Sequence, residues 1–362
     1  MIGWTLGRYF FLRYVKITCY FLLGIFALAL LLDFTENAGK LSALPDYSTW
    51  GALGISAMRI PFIMQQMIPF VALFSAMATL ISLNRKYELV VARSVGVSAW
   101  QFLLPACFGA FLFGLATIFL LNPLAAYGFA KAEEIQSSWT SGKVTDVSAL
   151  RVPWLRQKTD EGETIIGAKN ILDRGTTLVD ATFIALDSDN TIKERFDAKT
   201  ALLKNGYWQL NDVRRFALAQ EPQRIAEMRI PTQLRPEFVE EKLAAPETIP
   251  FFELRRKIEV AHSFGYSANA FDMHFQSLLA LPALLMAMTL IAATVSLKFV
   301  RFGQSGTMIL GGVIAGFVLY VVTVLVKAFG TAGFVPPFVA AWVPVLIAMF
   351  FGVSFLLHKE DG

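Results

Sequence analysis

Cysteine is nearly absent from this 362-residue chain: there are two, Cys19 and Cys107, both inside apolar runs, so no disulfide framework is signalled. The three histidines, His262, His274 and His358, have no metal-ligand spacing with one another. Charge is thin as well. Charged residues make up 17%, where a soluble domain carries about 25%. A net charge of +4 is too weak to hold a nucleic acid by its phosphates. Catalytic signatures are missing too. Gly39-Lys40 and Gly142-Lys143 lack the upstream glycine of a phosphate-binding loop, so no ATP site of the chain's own is expected. No G-x-S-x-G nucleophile elbow occurs. These absences argue against an enzyme and imply neither metal nor cofactor.

What the chain has is apolar length. Hydrophobic residues reach 55%, and 41 of the 60 charged side chains fall between Pro123 and Ala270. Six runs outside that segment are long enough to cross a bilayer, which takes roughly 20 apolar residues. They are Ile17–Leu32, Ile60–Leu83, Ala99–Asn122, Phe271–Leu297, Thr307–Val326 and Val335–Leu357. Leu32-Asp33-Phe34-Thr35-Glu36 lacks the small-residue cleavage site of a signal peptide, so the first run reads as a span. Ser98-Ala99-Trp100-Gln101 has the spacing of a capping box opening the third span, and Asn122-Pro123 is expected to close it. The fold class is therefore a membrane α-helical protein of six transmembrane helices with an inserted all-β domain. Its segments are 1–122, 123–270 and 271–362.

Basic residues in the short loops set the orientation. Arg8, Arg13, Lys16, Arg85, Lys86, Arg93, Lys298, Arg301 and Lys359 share one side, against Lys40, Arg59 and Lys327 on the other. That places both termini in the cytoplasm and the inserted domain outside, in the periplasm of a two-membrane bacterium. The spans carry no acidic or basic residue at mid-depth, which argues against an ion-coupled transporter and suits a lipid substrate.

The inserted segment is β-like. Glu163–Ile166, Thr177–Leu186, Thr191–Ala198, Thr200–Leu203, Tyr207–Leu210 and Val213–Leu218 are candidate strands. Turns are expected at Asp173-Arg174-Gly175, at Asp187–Asn190 and at Asn205-Gly206, the last being the strongest hairpin signal. Short strands at even spacing suggest a sandwich or jelly roll. Pro250–Ala261 has the pattern of an amphipathic helix returning to the membrane.

The loop between spans two and three, about 84–96, reads as a short amphipathic helix ended by Gly96. Leu89, Val90 and Ala92 would form its apolar patch, with Arg85, Lys86, Glu88 and Arg93 as its charges. Two readings stay open: a solvated loop with Arg85 and Glu88 paired at i,i+3, or a coupling helix that docks on a cytoplasmic motor. Lys40, Arg59 and Lys327 likewise read either as snorkelling helix-end cations or as a rim for lipid phosphates.

Glu88-Leu89-Val90-Val91 followed by Gly96, and Gly312-x-x-x-Gly316-Phe317-x-x-Tyr320 in the fifth run, resemble the LptF/LptG permeases of the lipopolysaccharide-export ABC transporter, most of all the LptG type. The order of three spans, a β-rich domain and three spans matches along the whole chain. The resemblance implies a permease subunit with no nucleotide site of its own, driven by a cytoplasmic LptB-type ATPase dimer. Further implied partners are a paralogous LptF-type permease, a single-span LptC-type protein and a periplasmic bridge protein. Lipopolysaccharide would enter beside spans one and five, where Phe26, Leu30, Phe317 and Tyr320 are expected to face the lipid path. The coupling residues would be Arg85, Glu88, Leu89, Val90, Arg93 and Gly96. Such permeases commonly carry lysines at the outer end of the first span; here, from Asp33 to Lys40, only Lys40 is basic. A lipoprotein-releasing permease and a non-transport membrane scaffold or sensor are the competing readings.

Overall fold

The computed structural model describes residues 4–41, 48–140, 155–159, 162–172, 176–187, 191–217, 221–232, 245–263, 268–296 and 305–360. Lys298, Arg301, the expected turns at 173–175 and 188–190, and the side chains of Lys40, His262 and Lys359 lie outside what is described. Two compact units result: Met1–Thr140 with Pro246–Gly362, and Ser141–Ala245.

The first unit is helical. Its elements are α1 (Trp4–Leu41), α2 (Thr49–Arg85), α3 (Glu88–Ser94), α4 (Ala99–Ala116), α5 (Asn122–Thr140), α6 (Phe251–Ser263), α7 (Asn269–Ser296), α8 (Ser305–Thr331) and α9 (Pro337–Glu360). Six of its helical stretches are long and apolar enough to span a membrane. Its core runs between α2 and α7, where Ile68, Leu73 and Met77 meet Leu285 and Met288, with Ala340 and Val345 of α9 closing over them. A second cluster joins Phe10, Leu83, Leu89, Phe102, Leu290 and Leu356 at the end where α1 begins and α9 finishes, called here the near end.

The third span does not stop at Asn122-Pro123 as the sequence suggested. A π-turn, Thr117–Leu121, precedes Asn122, whose N–H bonds to the Thr117 carbonyl five residues back, and α5 continues to Thr140. Proline lacks a donor and crowds the carbonyl four residues earlier; a widened turn just before it absorbs both defects. Asn122 is a cross-element cap instead. Its Oδ1 accepts the N–H of Phe251 at 2.8 Å, securing the start of α6, whose Phe251 ring stacks on Phe275 of α7 at 5.2 Å. The capping box at Ser98 and Gln101 forms as expected.

The second unit is one antiparallel sheet of six strands in consecutive order: β1 (Leu155–Thr159), β2 (Gly162–Leu172), β3 (Thr177–Leu186), β4 (Ile192–Lys204), β5 (Tyr207–Ala217) and β6 (Gln223–Pro231). Among the described residues it is a meander, without the crossover of a Greek key. The Asn205-Gly206 turn joins Lys204 to Tyr207, with Gly206 at φ +88°. β4 and β5 each unite two of the expected strands, and a crease explains the division. Lys169, Asp180, Lys199, Asp212 and Ala226 are skipped by the pairing in one line across β2 to β6. Asp180 and Asp212 take left-handed φ values of 50° and 51° there. The buried residues change phase at this line, from Phe196 and Ala198 to Ala201 and Leu203 in β4, and from Trp208 and Leu210 to Val213 in β5. One face therefore stays apolar while the sheet bends, as at a bulge. Gln157 of β1 accepts from the Thr232 hydroxyl at 2.6 Å and donates to the Pro231 carbonyl at 3.3 Å, so side chains tie the first strand to the end of the last.

Candidate functional site

α3 is a helix of seven residues hung between α2 and α4. Tyr87, at φ +58°, turns the chain out of α2, and Glu88 opens the helix, where a carboxylate suits the helix dipole. Gly96 closes it as expected. Its N–H bonds to the Arg93 carbonyl and that of Val97 to the Ala92 carbonyl, a complete Schellman arrangement that needs the left-handed φ of +84° only glycine adopts freely.

The outward face differs from the expected one. Leu89 is buried in the near-end cluster, Ala92 is buried as well and Val90 is half-buried, so they anchor α3 and leave no apolar patch of their own. The stripe turned outward is Tyr87, Val91 and Val95, 63%, 61% and 78% exposed. Their i,i+4 spacing explains the inversion: a short helix seats one apolar edge in the core, and the edge left over faces out. Arg85, Lys86 and Arg93 are exposed beside that stripe, the Arg93 guanidinium lying 5.8 Å from the Phe102 ring centre.

Glu88 pairs with α1 and not with Arg85. Its Oε2 accepts from the Tyr9 hydroxyl at 2.9 Å, and its Oε1 stands 3.9 Å from Nη1 of Arg13. Arg13 also donates to Tyr9 Oη at 2.9 Å and to Ser82 Oγ at 2.7 Å. From the sequence Arg13 reads only as an orientation charge, and Tyr9 is not singled out. Their i,i+4 spacing was the one available signal.

At the far end of the bundle, Asp33 and Asn37 of α1 are buried against Ser56 and Arg59 of α2. Asn37 donates to Asp33 at 2.7 Å, and Arg59 donates to Asn37 at 3.1 Å and stands 3.8 Å from Asp33. Arg59 is thus neutralised inside the bundle, with the Phe129 ring 6.0 Å away. A buried carboxylate one helix away holds Arg59, which the sequence offers either as a snorkelling cation or as part of a phosphate rim. Lys327 is half-buried on α8, within electrostatic reach of His274 on α7, and takes part in no ion pair among the described residues.

The four expected lipid-path residues divide. Phe26 and Phe317 are exposed, at 42% and 56%. Leu30 is half-buried, and Tyr320 packs inward on Phe70, ring centres 4.8 Å apart. Gly312 and Gly316 lie against Met77 and Leu73 of α2, so this glycine pair seats α8 on α2 and turns Phe317 outward. α1 and α8 are the least covered spans: 11% and 22% of their apolar stretches are buried, against 39% to 67% in the other four. Helices so open in one chain await lipid or a partner.

The family model described as "Lipopolysaccharide export system permease LptF/LptG" matches residues 8–358. The lipopolysaccharide export system permease protein LptG of Haemophilus influenzae is similar over 376 aligned positions, 21% identical, covering 99% of both chains.

Proposed function

Since the chain belongs to the LptF/LptG family of lipopolysaccharide export permeases, a multi-pass membrane subunit that transports and does not itself hydrolyse ATP, we propose how its surfaces divide the work. α1 and α8 are the lipid-facing and partner-facing helices, and α3 is the coupling element. The observation that carries this reading is the uncovered state of those two helices on an otherwise well-packed bundle.

In this reading a paralogous LptF-type permease packs opposite α1 and α8, and the gap between them admits lipopolysaccharide from the membrane. Phe26 and Phe317 meet acyl chains there. Each methylene moved between apolar surroundings and water changes the free energy by about 0.8 kcal/mol, so lifting a multi-acyl lipid requires an external energy source. That source is an LptB-type ATPase dimer seated on Tyr87, Val91 and Val95, with Arg85, Lys86 and Arg93 around them. Both termini are cytoplasmic, and the bent sheet lies in the periplasm. Its apolar face continues toward an LptC-type protein and the periplasmic bridge. Lys40 and Lys327 remain the candidate partners for lipid phosphates, whereas Arg59 serves only after leaving Asp33.

A photoreactive residue at position 317, in the complex purified with its ATPase, tests the reading. Capture of lipopolysaccharide that diminishes on ATP turnover is the expected result. Capture of protein alone would assign α8 to helix packing. Absence of a co-purifying ATPase would favour the scaffold reading.

A further inference from the structure

Given the reading of α3 as the motor-facing helix, we propose that Tyr9 and Arg13 are positioning residues that carry its movement into α1, making α1 the lever through which the motor acts on the lipid gap. The juxtaposition is specific. Glu88, the first residue of α3, is held by two side chains one turn apart on α1, and Arg13 also grips Ser82 near the end of α2. A displacement of α3 cannot leave this network unchanged, because the Tyr9 hydroxyl both donates to Glu88 and accepts from Arg13. Arg13 Nε is buried with no partner among the described residues, so the guanidinium keeps an unused donor for a second arrangement.

α1 suits a lever. It runs 38 residues without proline, and at 1.5 Å per residue Arg13 and Asp33 are about 30 Å apart, the depth of the hydrocarbon core. Between these points it is largely uncovered, with Tyr20, Leu23, Leu28 and Leu31 all exposed. Polar side chains hold it at both ends: Tyr9 and Arg13 near, Asp33 and Asn37 far. A rigid rod held in this way converts a shift at one clamp into a tilt at the other, where Arg59 and Asp33 can part.

The test uses the whole complex in proteoliposomes, with ATPase co-purification, ATP hydrolysis and lipopolysaccharide transfer measured on the same preparation. For the double variant Tyr9→Phe/Arg13→Gln, transfer per ATP should fall about tenfold, within the usual span of coupling between sites. Co-purification and hydrolysis should stay within about twofold, and Tyr9→Phe/Arg13→Lys should recover most of the loss, since it restores the charge. Unchanged transfer per ATP would overturn the proposal. So would a proportional loss of all three readouts, which marks a purely structural contact, and so would failure of the lysine variant to recover. Val91→Asp separates this proposal from the one it rests on. If Val91→Asp leaves ATPase co-purification and transfer normal, the motor-facing role of α3 fails; if it releases the ATPase while the Tyr9 and Arg13 variants keep normal transfer per ATP, only the lever fails. Normal transfer per ATP in Glu88→Ala, which removes the contact itself, would likewise overturn the lever.

Discussion

Arg59 of α2 stands 3.8 Å from the Asp33 carboxylate of α1, with Asn37 bonded to both, so the one basic residue in the outer part of α2 is already neutralised. Removing one member of a largely buried pair leaves the other uncompensated, at several kcal/mol in a dry site. Arg59 is 29% exposed, so a loss of about 1–2 kcal/mol is the reasonable figure here. Arg59→Gln should therefore lower the thermal stability of the purified complex, and Asp33→Asn/Arg59→Gln should regain most of it. Equal losses in the single and double variants would deny that the pair matters.

Gly316 has no room for a side chain. A Cβ there would overlap a methyl of Leu73, and one at Gly312 would press on Met77. Gly316→Ala should destabilise the bundle by about 1–3 kcal/mol through overpacking. Gly316→Ala/Leu73→Ala should be less destabilised than the two single losses added together, because each substitution relieves the other. Thermal unfolding in detergent measures both, and simple additivity would contradict the close approach.

The two faces of α3 should fail differently. Val91→Asp on the exposed stripe should weaken ATPase co-purification while the permease keeps its melting temperature. Leu89→Ala, which empties a buried site, should cost about 2–5 kcal/mol of stability and affect the motor only through misfolding. If Leu89→Ala releases the ATPase from a normally stable permease, the assignment of faces is reversed.

The crease in the sheet depends on Asp180 and Asp212 tolerating left-handed backbone. Asp212→Gly should keep the bend, and Asp212→Val should weaken it by about 1–2 kcal/mol, since a β-branched residue resists positive φ. Faster amide exchange of β5 and β6 in the valine variant is the readout. pH acts at the same place. The hydrogen bond from Arg224, helped by Lys199 and Arg214, holds the Asp212 carboxyl below its ordinary value. A depressed carboxyl contributes above its unfolded pKa and loses that contribution as pH falls through the folded one. Protection of the β5–β6 pair should accordingly decline toward acidic pH in the native chain and stay flat in Asp212→Asn.

Particular elements show where sequence reading reaches its limit. The strand breaks expected after Ala198 and Leu210 are real changes of phase in the inward residues, but strand pairing resumes beyond both, since a crease and a strand end leave the same local pattern. Asn122-Pro123 has the local chemistry of a helix end; only the π-turn and the partner at Phe251 allow the helix to continue. In α3 the cap at Gly96 was legible because it is a local backbone requirement. Which apolar edge faces inward was not, because α1, α2 and α4 decide it.

The amino-acid sequence by itself determined the six apolar spans, the β-rich insert, the Asn205-Gly206 hairpin, the capping box at Ser98 and the family. Each of these follows from periodicity, composition or backbone demands acting over a few residues. Tertiary structure alone decided that Glu88 belongs to Tyr9 and Arg13, that Arg59 belongs to Asp33, and that Tyr320 turns inward while Phe317 turns out. Those outcomes depend on partners tens of residues away. A carboxylate pairs with whichever cation the packing brings near, and sequence spacing carries no record of that distance.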